Sequence, residues 1–103
     1  SNLGYYQDPL HPAVLRAISN VIDCSDKNNI EVSVCGEMSS DPVAAFALYV
    51  LGLKTFSMAP SAAPFVFDAL DTHSKINKQK IKDQILQQNN ADEVRTIIQE
   101  ILS

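Results

Sequence analysis

The run Val32-Ser33-Val34-Cys35-Gly36-Glu37 sets a thiol, a glycine and a carboxylate in consecutive positions at the end of an alternating segment. A thiol can ligate a metal, form a disulfide, sense oxidants or fill a small apolar space, and each use needs different neighbours. Metal binding needs further Cys or His at short spacing, and neither Cys35 nor Cys24 has a CxxC partner or a histidine placed that way. The two cysteines sit in different contexts, one at a helix end and one at a strand end, so a disulfide is not expected either. Redox sensing needs a thiolate stabilised by nearby cations. Within ten residues of Cys35 the only basic side chain is Lys27, which ranks that use last. The residues alone therefore leave a packed thiol beside Gly36, whose lack of a Cβ lets the backbone turn sharply or approach a small ligand.

The other side chains with chemical capacity read as structural. His11 precedes Pro12 and is expected to help start a helix. His73, within Asp71-Thr72-His73-Ser74, is expected to be an exposed turn residue. Cys24 closes an amphipathic helix and is expected to be a packed thiol. Lys75, Lys78, Lys80 and Lys82 form the one basic stretch, and their spacing predicts a solvated helix face.

The elements that must position Cys35 follow from periodicity. Pro12 suits a first helical turn, and Val14, Leu15, Ile18, Val21 and Ile22 recur as one face of a helix over about residues 12–24. Asp26-Lys27-Asn28-Asn29 ends it. Ile30, Val32 and Val34 then alternate with Glu31, Ser33 and Cys35, which predicts a strand whose Ile30, Val32 and Val34 pack on helices. Ser40-Asp41-Pro42 starts and Gly52 stops a helix over 42–51. That helix, Val43 to Leu51, has almost no polar face, so something more is expected to cover it. A second short strand is predicted at about 53–58, and Pro60 and Pro64 introduce a helix holding Val66, Ala69 and Leu70. Two helices follow, at about 76–88 and 91–102, the last with a capping box from Asn90 and Glu93. This alternation predicts an α/β chain with two parallel strands, surrounding helices and a two-helix C-terminal tail.

Composition excludes several classes. At 103 residues and 46% hydrophobic content the chain is expected to form one domain with a modest core. A net charge of −4 argues against nucleic-acid binding, which rests on clustered Lys and Arg. No apolar run reaches the roughly 18–20 residues of a membrane span, nor is there a signal-type segment, so a soluble cytoplasmic protein is expected. There is no internal repeat and no low-complexity linker.

One resemblance adds to these readings. The segment Val34-Cys35-Gly36-Glu37-Met38-Ser39-Ser40-Asp41-Pro42, with Leu51-Gly52-Leu53, Phe56-Ser57-Met58, the upstream Leu10-His11-Pro12-Ala13-Val14-Leu15 and the Asp92-Glu93-Val94 helix start, resembles the C-terminal end of phosphoenolpyruvate-using enzymes. The match is with enzyme I of the bacterial phosphotransferase system, a phosphoenolpyruvate-protein phosphotransferase, and more distantly with pyruvate phosphate dikinases and phosphoenolpyruvate synthases. It runs from about residue 8 to the end. Ser39-Ser40 stands where Ala-Gly is common, and Phe65 and Phe67 stand where relatives often carry basic residues.

The resemblance implies a C-terminal fragment of a (βα)8 TIM barrel, with residues 1–74 as βα units and 75–103 as C-terminal helices. In such barrels reactive side chains sit at the carboxyl ends of strands. It implies that Cys35 is the catalytic acid that protonates enolpyruvate, a role suited to a thiol whose unperturbed pKa is about 8.5. Gly36 and Glu37 are expected to shape the loop, with Gly36 also a candidate for substrate contact. The resemblance also implies that Mg2+, its Glu and Asp ligands, the substrate arginines and the phospho-acceptor histidine belong to other parts of a parent enzyme. Its partners would be phosphoenolpyruvate and pyruvate, a phosphocarrier protein reached through an N-terminal domain, and a second copy in a homo-oligomer such as a dimer. The piece alone is expected to be inactive. The rival from another class is a stand-alone oligomerisation or binding module derived from the barrel.

Overall fold

The computed structural model describes residues 8–34, 37–73 and 75–103. Its element order is α1 (Pro12–Lys27), β1 (Ser33–Val34), α2 (Glu37–Ser40), α3 (Pro42–Leu51), β2 (Thr55–Phe56), α4 (Ala63–Thr72), α5 (Lys78–Leu86) and α6 (Ala91–Leu102). The molecule is mostly helical. The two strands pair in parallel, Ser33 with Thr55 and Val34 with Phe56. A parallel pair needs a crossover between its strands, and here α2 and α3 supply it.

At the centre lies α3. Asp41 caps its start, a carboxylate oxygen accepting from the Val43 N–H at 3.1 Å, and Pro42 occupies the first turn, where a missing N–H costs nothing. Gly52 ends it in the left-handed region at φ 106°. There the Gly52 N–H donates to the Tyr49 carbonyl and the Leu53 N–H to the Leu48 carbonyl, both at 3.0 Å, closing the last turn. Ala44 to Leu48, Val50 and Leu51 are all buried. α3 packs against α1, α2, α4, α5 and α6, so its all-round apolar character is explained by the chain itself. The expectation that a partner must cover helix 42–51 is thereby corrected.

α1 buries Leu15, Ser19 and Ile22 and leaves Val21 54% exposed, so the packed stripe is narrower than the five residues predicted. His11 starts this helix as expected, its Nδ1 accepting from the Ala13 N–H at 3.0 Å. The helix runs three residues beyond the predicted end, to Lys27. It closes where Asn29 turns to φ 55° and the Ile30 N–H donates to the Ser25 carbonyl at 2.8 Å.

That closure shortens the first strand. The Ile30 N–H is committed to the helix end and is lost to any ladder, so β1 begins at Ser33 and Ile30 stands 61% exposed. The predicted packing of Ile30 on helices is wrong. Val32 does pack against the core, as alternation expects, while Ser33 is exposed. The strand predicted over 53–58 also contracts, to Thr55–Phe56, while Leu53 joins the core.

Two further expectations are corrected. Cys24 is exposed rather than packed. His73 is partly buried, because its ring meets Phe46 edge-on at 6.1 Å and its Nδ1–H donates to the Ala69 carbonyl at 3.0 Å.

The C-terminal helices are tied in by side chains. Asn77 caps α5 by accepting from Lys80 N–H at 3.1 Å. Asn90 caps α6 by accepting from Glu93 N–H at 2.9 Å, and the Glu93 carboxylate reaches back to the Asn89 N–H, one residue before the expected partner. From α1, the Arg16 guanidinium donates twice to the Leu86 carbonyl at the end of α5, at 3.3 and 3.1 Å. A cation there also suits the negative end of the helix. The basic stretch is not wholly solvated: Lys82 pairs with Asp23 at 3.9 Å, and Lys78 lies 3.9 Å from the centre of the Tyr49 ring.

Candidate functional site

Cys35 and Gly36, the catalytic and substrate-contacting residues expected from the sequence, lie outside the described residues. What the structure describes is their frame. On the amino side, β1 delivers the chain at Val34, hydrogen-bonded in parallel beside Phe56 of β2. On the carboxyl side, the backbone enters α2 at Glu37. The thiol's position in sequence is thus the first after the carboxyl end of a strand and the second before a helix.

Two contacts shape this frame. The Ala59 N–H donates to the Ser40 Oγ at 3.2 Å, tying the segment after β2 to the end of α2. The Ser40 hydroxyl is what makes this tie. Ser39 beside it is fully buried. Met38 packs in part against the hydrophobic core, so α2 is held from below as well as from the side.

Beyond Ser40 stands a charged group that sequence reasoning missed. Arg95, from α6, pairs with Asp8 at 3.3 Å and with Asp41 at 3.7 Å, and Asp41 is the residue that both ends α2 and caps α3. The sequence shows Asp41 as a helix start. It gives no sign that a residue 54 positions later would meet it. The Asp8 carboxylate is itself braced, accepting from the Leu10 N–H at 3.0 Å.

At the opposite, amino end of the strands lies a cavity of about 390 Å³, lined among others by Asp26, Asn29, Glu31, Lys54 and Thr55. Lys54 and Asp26 pair across it at 3.8 Å, both well exposed. An exposed pair of this kind contributes little energy. Among the described residues, no group of three or more His, Cys, Asp or Glu side chains could hold a metal ion.

Comparison with known proteins bears on what this frame serves. Residues 1–74 match the family model described as PEP-utilising enzyme, PEP-binding domain. The chain is similar to the phosphoenolpyruvate-protein phosphotransferase of Geobacillus stearothermophilus, 35% identical over 101 residues that cover 98% of this chain and 18% of the relative. Against the enzyme of that name from Bacillus subtilis (strain 168) the identity is 35%, over 95% of this chain and 17% of the relative. Against the multiphosphoryl transfer protein of Xanthomonas campestris it is 39%, over 87% of this chain and 11% of the relative. The chain spans less than a fifth of the length of these curated relatives.

Proposed function

The chain belongs to the PEP-utilising enzymes, whose PEP-binding domain it matches over residues 1–74, and from that membership we propose that it is the C-terminal part of the (βα)8 barrel of a phosphoenolpyruvate-protein phosphotransferase. The observation that carries this reading is the alignment of nearly the whole chain with enzymes of that name. The parallel pairing of β1 with β2 across a helical crossover supports it, since a barrel is built from such units. Residues 1–74 would supply βα units and residues 75–103 the closing helices.

In the parent, the phosphoryl group would leave phosphoenolpyruvate for a histidine and then pass to a phosphocarrier protein. The enolate left behind must gain a proton at its methylene carbon to become pyruvate. Cys35 is the donor in this reading: the S–H bond breaks, the C–H bond forms, and the thiolate regains a proton from water. A thiol protonated at neutral pH and sited at the carboxyl end of a strand suits that task. Gly36 would let the backbone lie close to the substrate.

The Mg2+ that the family implies finds no ligand set among the described residues. Its ligands would come from parts of the relatives that this chain does not span, and the residues here would handle the proton alone. The same holds for the acceptor histidine, so the chain by itself would be inactive. No described helix is long and apolar enough to cross a membrane. A cytoplasmic parent would belong to the same proposal.

A second reading, a binding or oligomerisation module, is favoured by Phe65 and Phe67, which stand 69% and 57% exposed on α4. The test between the two uses the full-length gene product. Purified with its histidine phosphocarrier, it is expected to pass phosphate from phosphoenolpyruvate, and Cys35→Ala is expected to slow turnover by about 10²–10⁴-fold, the usual worth of a positioned acid. No phosphoryl transfer by the unaltered protein would leave the module reading standing.

A further inference from the structure

We propose that the outer face of α4 is an interface with a second copy of this chain, the two helices lying antiparallel about a two-fold axis near Val66. This interface depends on neither reading of the function. α4 packs against α3, and of its residues only Val66 is fully buried. Phe65 and Phe67 beside it are 69% and 57% exposed. At about 100° of turn per residue they project from opposite flanks of the helix, and the exposed Asp68 and Asp71 lie on the ridge between them. Two large rings in water on either side of an acidic ridge call for a cover that meets all three strips at once.

Charge indicates which cover fits. α1, α3, α5 and α6 each begin with a side-chain cap. No side chain caps the start of α4 and no acid lies in its first turn, so the positive end of its dipole is uncompensated. Asp68 and Asp71 sit toward the negative end, where no basic residue lies in the last turn, and neither has an ionic partner among the described residues. Within one copy both ends are unfavourable. An antiparallel second copy corrects both, because it brings the acids of each helix toward the positive end of the other. The same two-fold sets Phe65 beside Phe65 of the second copy, offset by about 3 Å along the helix, and Phe67 beside Phe67 likewise. One symmetry operation thus covers both rings and matches both charges. A parallel pairing would set acid against acid.

Sedimentation equilibrium of the purified 103-residue chain over about 1–100 μM tests this. α4 is 10 residues long, so the contact is small, and a dissociation constant on the order of 10 μM is expected. The variant carrying both Phe65→Ser and Phe67→Ser is expected to keep its helical circular dichroism, since both rings are exposed, and to pair at least about tenfold more weakly. In a chain carrying Cys24→Ser and Cys35→Ser, a short bismaleimide is expected to link Phe65→Cys to the same position of the second copy, read from the mass of the linked peptide. A clean monomer across the range, full-strength pairing by the double serine variant, or no linked peptide would overturn the proposal and leave α4 to a different occupant. Should the double serine variant not fold, Asp68→Asn with Asp71→Asn decides: about threefold weaker pairing supports the proposal, and unchanged pairing overturns it.

Discussion

Phe46 is the largest fully buried side chain among the described residues. It is fully buried in α3, its ring tilted 48° to Tyr49 at 6.3 Å and edge-on to His73. Truncation to alanine would leave a cavity at the centre of the core, and Phe46→Ala is expected to cost about 3–5 kcal/mol. Urea denaturation of the two proteins checks this; a loss below about 1 kcal/mol would mean the core can collapse around the site. The same contact explains one misreading. His11 was legible because its partner, the Ala13 N–H, is two residues away. His73 was not, because Phe46 is 27 residues distant and nothing local marks the pair. Arg95 was invisible for the same reason. For Cys35, type and position at the end of an alternating run left only a packed thiol, and the family resemblance alone singled it out.

Among the elements, helices were more legible than strands, and the backbone hydrogen bonds say why. A helix satisfies its own ladder and announces its ends locally, as Asp41-Pro42 and Gly52 do for α3. A strand's length depends on a neighbour elsewhere in sequence, and on whether its N–H groups are already spent. The Ile30 N–H is spent on α1, which removes the first residues of the predicted strand. The four-residue α2 has too few positions to show any period. Gly52 offers a test at this scale. A Cβ there would meet Ile22 Cγ2 at 3.5 Å, an ordinary contact, so space is not the obstacle. The positive φ is, and Gly52→Ala is expected to destabilise by about 1 kcal/mol. Thermal unfolding checks it, and an unchanged midpoint would mean the helix end relaxes out of the left-handed region.

At the scale of the whole molecule, the chain covers its most apolar helix without help. The case for self-association therefore moves from α3 to Phe65 and Phe67 on α4 and to the edges of a two-strand pair. Sedimentation of the purified chain is expected to show species heavier than 11.3 kDa, and a clean monomer at micromolar concentration would contradict that. The central claim concerns the proton. The most direct measurement uses phosphoenolpyruvate stereospecifically tritiated at C3: the full-length protein, unaltered and as Cys35→Ala and with its phosphocarrier as phosphoryl acceptor, turns it over in D2O, and the chirality of the resulting CHDT methyl group of pyruvate is determined. The account predicts that the unaltered protein delivers deuterium to one face of the enol, giving a methyl group of one configuration, and that Cys35→Ala forms pyruvate slowly and with a racemic methyl group. Equal rates and equal facial preference in both proteins would contradict it.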